Sequence, residues 1–324
     1  MTVNRITVMA LAAGLSAVIA TAQPNSSLRP NETVLLYTDS FEGNIDPVFG
    51  PTISFAGFEM KESSGLKGPE AMQPNGNLGN TSDLARMDLY FPKTANGQMV
   101  IVCPGGGYAI TSSYNEGLYV AEWLLERGIT VCILKYRMPN GHRHVPYADL
   151  ENAFRYCRSR AAEWGVGQIG VMGFSAGGHL AATGSNLWNE DITRPDFSIL
   201  IYPVITMGVG LTHKGTHKNL LGEDGRWKDH YLDTYSIEKQ VSRNTPQTFI
   251  ALCSDDTVVP AENSLMYYKE LIDKDIPVEM HIWPTGGHGW GFSSENFVGK
   301  GNDRFAYARD DFYNSLERWL ERIK

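Results

Sequence analysis

The chain has no excess of basic residues. Its 28 Lys and Arg stand against 36 Asp and Glu, a formal net charge of −8. Nothing there would neutralise a phosphate backbone or hold an anionic lipid surface, so nucleic acid and membrane surface are not expected partners. Cysteine is scarce: only Cys103, Cys132, Cys157 and Cys253 occur. No Cys-x-x-Cys pair is present, which removes the usual zinc and redox frameworks. Three of the four sit in or beside apolar runs ("MVIVCP", "TVCIL", "FIALCS") and read as small buried residues rather than bridge partners. Internal repeats and low-complexity tracts are also lacking.

A hydrophobic run of membrane-spanning length is missing too. The longest, Ile6 to about Ala20, falls short of the roughly 20 residues a helix needs to cross a bilayer. It follows Arg5 and precedes Ala20-Thr21-Ala22, a small-x-small cleavage pattern. Residues 1–22 therefore read as a secretory signal peptide. With no Cys at the cleavage point, no lipid attachment is expected there, and no stable membrane insertion after cleavage. The mature chain is expected to be exported, periplasmic or secreted.

What the chain does have is an ordinary globular composition, 42% hydrophobic and 20% charged over 324 residues, enough to bury a large core. Residues 23–84, rich in Asn, Pro, Gly and Ser, read as an irregular arm with one or two short strands such as "TVLLYT". A rhythm follows in 85–324. "MDLYFP", "MVIVCP", "TVCILKY", "IGVMGF", "FSILIYPV", "TFIALCS" and "VEMHIWP" are short apolar, β-branched and aromatic runs, suited to strands covered on both faces. Helical patterns alternate with them: "NEGLYVAEWLLERG", "PYADLENAFRYCRSRAAEW", "AENSLMYYKELIDK" and "RFAYARDDFYNSLERWLERIK". Alternation of this kind predicts a mostly parallel α/β sheet flanked by helices. Between the sixth and seventh strand-like runs, counting "TVLLYT" as the first, about forty residues (206–246) intervene. So long a connection predicts a cap or substrate wall.

Chemistry concentrates in the turns after the apolar runs. "GFSAGG" puts Ser175 between a strand and a helix. A Gly-x-Ser-x-Gly alone arises by chance in roughly one chain in ten of this length, so context must decide. Strand, turn and helix together form a nucleophile elbow, which exposes the serine oxygen at the carboxyl edge of the sheet. A serine hydroxyl needs a base. His288, in the glycine-rich "PTGGHGWGF" straight after the last strand, is the candidate. His281 lies inside a strand, and His179 is expected to pack in the first helical turn. His213 and His217 have a His-x-x-x-His spacing with no further metal ligands near them, and no metal is expected. The orienting acid is Asp255 or Asp256, both at the end of a strand in "ALCSDDTVVP". An oxyanion needs backbone donors. Gly106 or Gly107 of "CPGGGY" and Ala176 at the start of the helix can supply them.

In this order, "PGGGY", "GFSAGGHLAA", "SDDTVVP" and "GGHGWGF" resemble the α/β-hydrolase superfamily. More narrowly, they resemble bacterial acetyl esterases of the acetylxylan-esterase and feruloyl-esterase-like group. "EGLYVAEWLLERGI", "LKYRMP" and "HKNLLGE" are also similar, and the resemblance covers roughly residues 85–323. It implies the α/β-hydrolase fold, with Ser175 as nucleophile and His288 as base. In the Asp-x-x-Val-Pro pattern the acid is Asp256, before Val259-Pro260. One departure is Pro104, where many relatives carry His before the oxyanion glycines; the hole survives because its donors are backbone groups. The resemblance further implies hydrolysis of small acyl esters on cell-wall glycans, acetylated xylan or xylo-oligosaccharides first, without metal or organic cofactor. Tyr108 and Trp290 flank the oxyanion loop and the base. They are candidates to stack on a sugar or wall an acyl pocket, or else are packing aromatics. Feruloyl esterase is the alternative, followed by serine exopeptidase. A non-catalytic glycan-binding relative would be expected to lack a member of the triad, and none is lacking.

Overall fold

The structure is a computed structural model that describes residues 26–37, 53–66, 70–73, 77–79, 81, 84–292 and 301–324. The expected signal peptide lies outside the described residues. In chain order the strands are β1 (Glu32–Tyr37), β2 (Ile53–Phe58), β3 (Ala71–Met72), β4 (Leu78–Gly79), β5 (Arg86–Tyr90), β6 (Gln98–Cys103), β7 (Ile110–Thr111), β8 (Thr130–Lys135), β9 (Gln168–Phe174), β10 (Phe197–Ile201), β11 (Gln247–Cys253) and β12 (Val278–Trp283). The α-helices are α1 (Tyr119–Glu126), α2 (His144–Arg160), α3 (Ser175–Asn186), α4 (Lys214–Leu221), α5 (Asp229–Tyr235), α6 (Glu262–Asp273) and α7 (Arg309–Arg322). A single π-helical turn, Tyr114–Leu118, precedes α1.

Nine strands make one sheet in the order β12-β11-β10-β9-β6-β8-β5-β1-β2, and β3, β4 and β7 make a small second one. From β12 to β8 every pairing is parallel. β5 runs against both its neighbours, β8 and β1. β6, β8 and β10 are buried along their whole length. Their continuous apolar runs are what a strand covered by helices on both faces requires. The edge strands differ. β12 is mostly half-buried and β2 alternates between exposed and half-buried.

The stretch 23–84, expected to be an irregular arm, contributes β1 and β2 to the main sheet. Val34, Leu35, Leu36 and Tyr37 of β1 are all at most 1% exposed. The strand is also tied down by a buried polar cluster. Tyr37 donates its hydroxyl proton to Asp149 Oδ1 at 2.6 Å. Arg137, just past β8, donates from Nη2 to the same oxygen at 2.6 Å and to Tyr37 Oη at 2.9 Å. Its Nη1 donates to the Glu62 carbonyl at 2.6 Å. A buried pair of this kind survives desolvation because each charge is also hydrogen-bonded.

The chain passes from β6 to β8 on one side and returns to β9 on the other, so β6 and β9 flank the point where the strand order reverses. In open α/β sheets, the crevice beyond the carboxyl ends at this switch point is the natural ligand site. Cys103, at the end of β6, is in register with Gly173, near the end of β9. The four cysteines are buried and free. Among the described residues no helix is long and apolar enough to cross a membrane.

Asp149→Ala strands the Arg137 charge in the interior. It is expected to cost about 3–5 kcal/mol of stability, measured as a lowered urea midpoint with an unchanged slope.

Candidate active site

Phe174 ends β9 in an extended conformation (φ −118°, ψ 133°) and α3 begins at the next residue. Ser175 there has φ +52°, in the left-handed region that a non-glycine residue adopts only under strain. Glycine makes the turn possible. A Cβ on Gly177 would overlap the carbonyl oxygens of Cys103 and Pro104, so only glycine lets α3 start this close to β6. The sequence pattern of an elbow is thus a packing requirement before it is a chemical one.

Three strand ends meet above the serine. The Ser175 hydroxyl lies 2.8 Å from His288 Nε2, and His288 Nδ1 lies 2.7 Å from Asp256 Oδ2. A carboxylate only accepts, so Nδ1 carries the proton and Nε2 is free to accept the one from Ser175. Asp256 is fixed in turn, its Oδ1 accepting the Val258 and Val259 N–H groups at 2.9 Å each. The alternative acid, Asp255, does different work. It accepts the Gly287 N–H at 2.7 Å and pairs with Arg304, which anchors the base loop. The Gly287 N–H, with Gly286 N–H and Arg304 behind it, holds the Asp255 carboxyl below the usual carboxylate range.

The glycine loop after β6 has every carbonyl tied back. Tyr136 donates to Pro104 O, Ser112 N–H to Gly105 O, Ala109 and Ile110 N–H to Gly106 O, and Asn219 Nδ2 to Gly107 O. The Gly105 N–H is used by Glu116 Oε2 at 2.7 Å. Among the described residues the Gly106 and Gly107 N–H groups have no protein acceptor. Both residues line the cleft beside Ser175. The Ala176 N–H belongs to the first turn of α3, where backbone donors have no partner within the helix. These three N–H groups can receive a developing oxyanion.

The cleft encloses about 340 Å³ and is lined by Gly106, Gly107, Ile110, Ser112, Asn115, Glu116, Ser175, His213, Val258, His288, Gly289 and Asn77. A cleft of about 410 Å³ near Arg137 and Arg155 holds no comparable nucleophile and base.

Tyr108 and Trp290 do not line the cleft. Tyr108 is 2% exposed, at φ +57°, and its hydroxyl bonds His179 Nδ1 at 3.1 Å. Trp290 is 4% exposed and stacks on Phe305 at 4.0 Å. In each case the ring packs into the core. The substrate-binding reading of both residues is therefore corrected to packing.

The long connection contributes instead. His213 lines the cleft, and its Nδ1 accepts the Thr216 N–H, capping α4. Asn219 holds Gly107 as described. His179, buried at the start of α3, donates from Nε2 to the Tyr235 carbonyl at 2.8 Å and so ties α5 to the elbow helix. Burial lowers its pKa to about 4. Among the described residues no cluster of three His, Cys, Asp or Glu could hold a metal. Glu116, Tyr202 and Asn219 were not legible as site residues, and His213 stood out only for its spacing to His217: all four lie far in sequence from the motifs they touch.

Fold and site together define an α/β-hydrolase. The BD-FAE family profile matches residues 87–198. An acetylxylan esterase of Xylanibacter ruminicola is 35% identical over 243 residues, 74% of this chain and 48% of that protein. An endo-1,4-beta-xylanase B of Butyrivibrio fibrisolvens is 35% identical over 214 residues, 61% of this chain and 33% of that protein. The chain thus spans about half the length of these curated relatives, or less. Among solved structures, an acetyl ester-xyloside bifunctional hydrolase from Caldicellulosiruptor lactoaceticus is similar, with a TM-score of 0.62 at 32% identity, covering 74% of this chain and 88% of that one. A sugar hydrolase from Lactococcus lactis has a TM-score of 0.64 at 28% identity, covering 75% and 97%. The chain belongs to the α/β-hydrolase superfamily, in the acetylxylan-esterase and feruloyl-esterase-like group.

Gly177→Ala is expected to lower the unfolding free energy, measured in urea, by about 1–3 kcal/mol or more through overpacking. Gly167→Ala, where a Cβ meets only ordinary contact at 3.9 Å, should change stability by less than about 0.5 kcal/mol. A second expectation concerns His179. Its folded pKa of about 4 lies below the unfolded value of about 6.5. Between these the unfolded chain binds the extra proton, so the His179 contribution is present above about pH 6.5 and is lost as pH falls towards 4. Unfolding free energy measured against pH should lose part of its acid-side slope in His179→Gln.

Proposed function

We propose that the protein is a serine carboxylic-ester hydrolase that removes small acyl groups, acetyl first, from xylan or xylo-oligosaccharides. The observation that carries this is the continuous hydrogen-bonded line Ser175–His288–Asp256 beside the Gly106 and Gly107 N–H groups, which have no acceptor among the described residues. His288 takes the Ser175 proton as Oγ attacks the ester carbonyl. The N–H groups of Gly106, Gly107 and Ala176 hold the tetrahedral oxyanion, and Asp256 stabilises the imidazolium. His288 then gives its proton to the leaving sugar hydroxyl. Water, activated by the same imidazole, releases the carboxylic acid from the acyl-enzyme.

The cleft walls favour a small acyl group. Ile110 and Val258 supply aliphatic surface, and no Phe, Tyr or Trp stands among the described lining residues. A feruloyl ring would find no aromatic partner there. The relatives named as an acetylxylan esterase and an acetyl ester-xyloside hydrolase support the same choice. The connection 206–246 forms one wall through His213 and braces the oxyanion loop through Asn219. The reaction takes place outside the cytoplasm, on the strength of the signal-peptide pattern in residues 1–22.

Ser175→Ala should abolish turnover of p-nitrophenyl acetate. Asp256→Asn should lower kcat by about 10⁴-fold, as expected when a triad histidine loses its orienting acid, while Asp255→Asn stays within about tenfold of wild type because it only loosens a loop. Unchanged turnover in Ser175→Ala sinks the mechanism. Mass spectrometry of acetylated and feruloylated oligosaccharides after incubation fixes the acyl group: loss of acetyl mass is expected, and loss of feruloyl alone would replace acetyl with feruloyl.

A further inference from the structure

One buried carboxyl at the site has no part in this chemistry as described. Glu116 lies in the π-helical turn Tyr114–Leu118 and is 4% exposed. Its Oε2 accepts the Gly105 N–H at 2.7 Å and its Oε1 accepts the Tyr202 hydroxyl proton at 2.8 Å. Tyr202 Oη in turn accepts the Gly291 N–H at 2.9 Å, so its own proton is committed to Glu116. Both carboxyl oxygens therefore face obligate donors, the arrangement an ionised carboxylate satisfies. Burial, the largest influence, holds this carboxyl above the usual carboxylate range, and the Tyr202 hydroxyl, the His288 charge and the Gly105 N–H offset part of that rise.

The same turn holds the base loop. Asn115 Nδ2 donates to the Gly289 carbonyl at 2.9 Å, and its own carbonyl accepts the Phe292 N–H at 3.1 Å. Tyr202 is kept at φ +37°, with its ring 4.8 Å from the His288 imidazole. A Cβ on Gly105 would lie 2.7 Å from Glu116 Oε2 and 2.9 Å from Ser175 Cβ. The carboxylate thus sits directly behind the elbow, with the oxyanion loop on one oxygen and, through Tyr202, the base loop on the other. π-Helical turns inside helices occur frequently at functional sites.

We propose that Glu116 is a positioning residue for the Ser175 chemistry. As a carboxylate it locks the oxyanion loop and the base loop to each other and sets a second negative charge behind the His288 imidazolium. The inference rests on the esterase reading above. The other groups around His288 are accounted for. Asp256 takes Nδ1, and Tyr202 packs on the ring. His213 interacts across the cleft. Asp255 is occupied by Gly287 and Arg304, and Arg309 by the Gly291 carbonyl and Asp303.

Glu116→Ala and Glu116→Gln, assayed with p-nitrophenyl acetate from about pH 5 to 9 beside wild type and Ser175→Ala, test this. In Glu116→Ala kcat should fall about a hundredfold, the size of losing one oxyanion donor, with KM within about threefold. Glu116→Gln keeps an acceptor for Gly105 and should recover part of that loss. Its acid limb of kcat/KM should lie at least about half a pH unit lower, because a negative charge facing the base is gone. A merely structural role would lower melting temperature without moving that limb. An acid limb coincident with wild type in Glu116→Gln overturns the proposal, and that variant carries the test if Glu116→Ala does not fold. Wild-type turnover in Ser175→Ala would instead remove the esterase reading, and this inference with it.

Discussion

Everything at the site depends on how closely the first turn of α3 meets the carboxyl end of β6. The contact is backbone on backbone: Gly177 lies against the carbonyls of Cys103 and Pro104, while Gly178 lies against the Pro203 ring that follows β10. No side chain separates them. The closeness puts Ser175 at a strained φ of +52° and places the partnerless N–H groups of the helix beside the glycine loop that leaves β6. Strain at the serine is held because the surrounding core over-determines it.

From that contact outward, the site is built by loops that cannot hold themselves. The glycine loop has no side chains to pack, so it is pinned through its carbonyls by Tyr136, Asn219 and its own backbone. The base loop is pinned by Asp255, Asn115 and Tyr202. The connection 206–246 is pinned to the elbow helix through His179 and Tyr235. Glycine gives each loop its shape, and a polar side chain from a different element supplies the rigidity that glycine lacks.

The elbow, the acid and the base were legible because each follows an apolar run at once. A strand's end is readable from the run, and a parallel sheet sends all such ends to one edge. The choice between Asp255 and Asp256 came from the Val-Pro that follows. The structure gives its physical side: the Val258 and Val259 N–H groups bond Asp256. In the stretch 23–84 the strand "TVLLYT" was legible, but its place in the main sheet was not. β1 is a short apolar run like the others, but its partners β5 and β2 lie on either side of long polar stretches, and no local signal reports that pairing. The choice left open for Tyr108 and Trp290, substrate contact or packing, was undecided in sequence for a related reason. Nearness in sequence to a functional glycine says nothing about the direction of the side chain, and at a left-handed backbone position such as Tyr108 the direction turns away from the neighbours.

The sequence by itself determined the alternation of strands and helices, the elbow serine, and the order of oxyanion loop, nucleophile, acid and base. These are local patterns, set by periodicity and turn chemistry within a few residues. Only the tertiary structure decided that Gly105 is spent on Glu116 while Gly106 and Gly107 remain open, and that the cleft is walled by His213 instead of the flanking aromatics. It also decided that a carboxylate from the turn before α1 stands behind the histidine that follows β12. Those facts depend on which distant elements the sheet order brings to one edge. That order is fixed by the burial of whole strand faces, which no short stretch of sequence records.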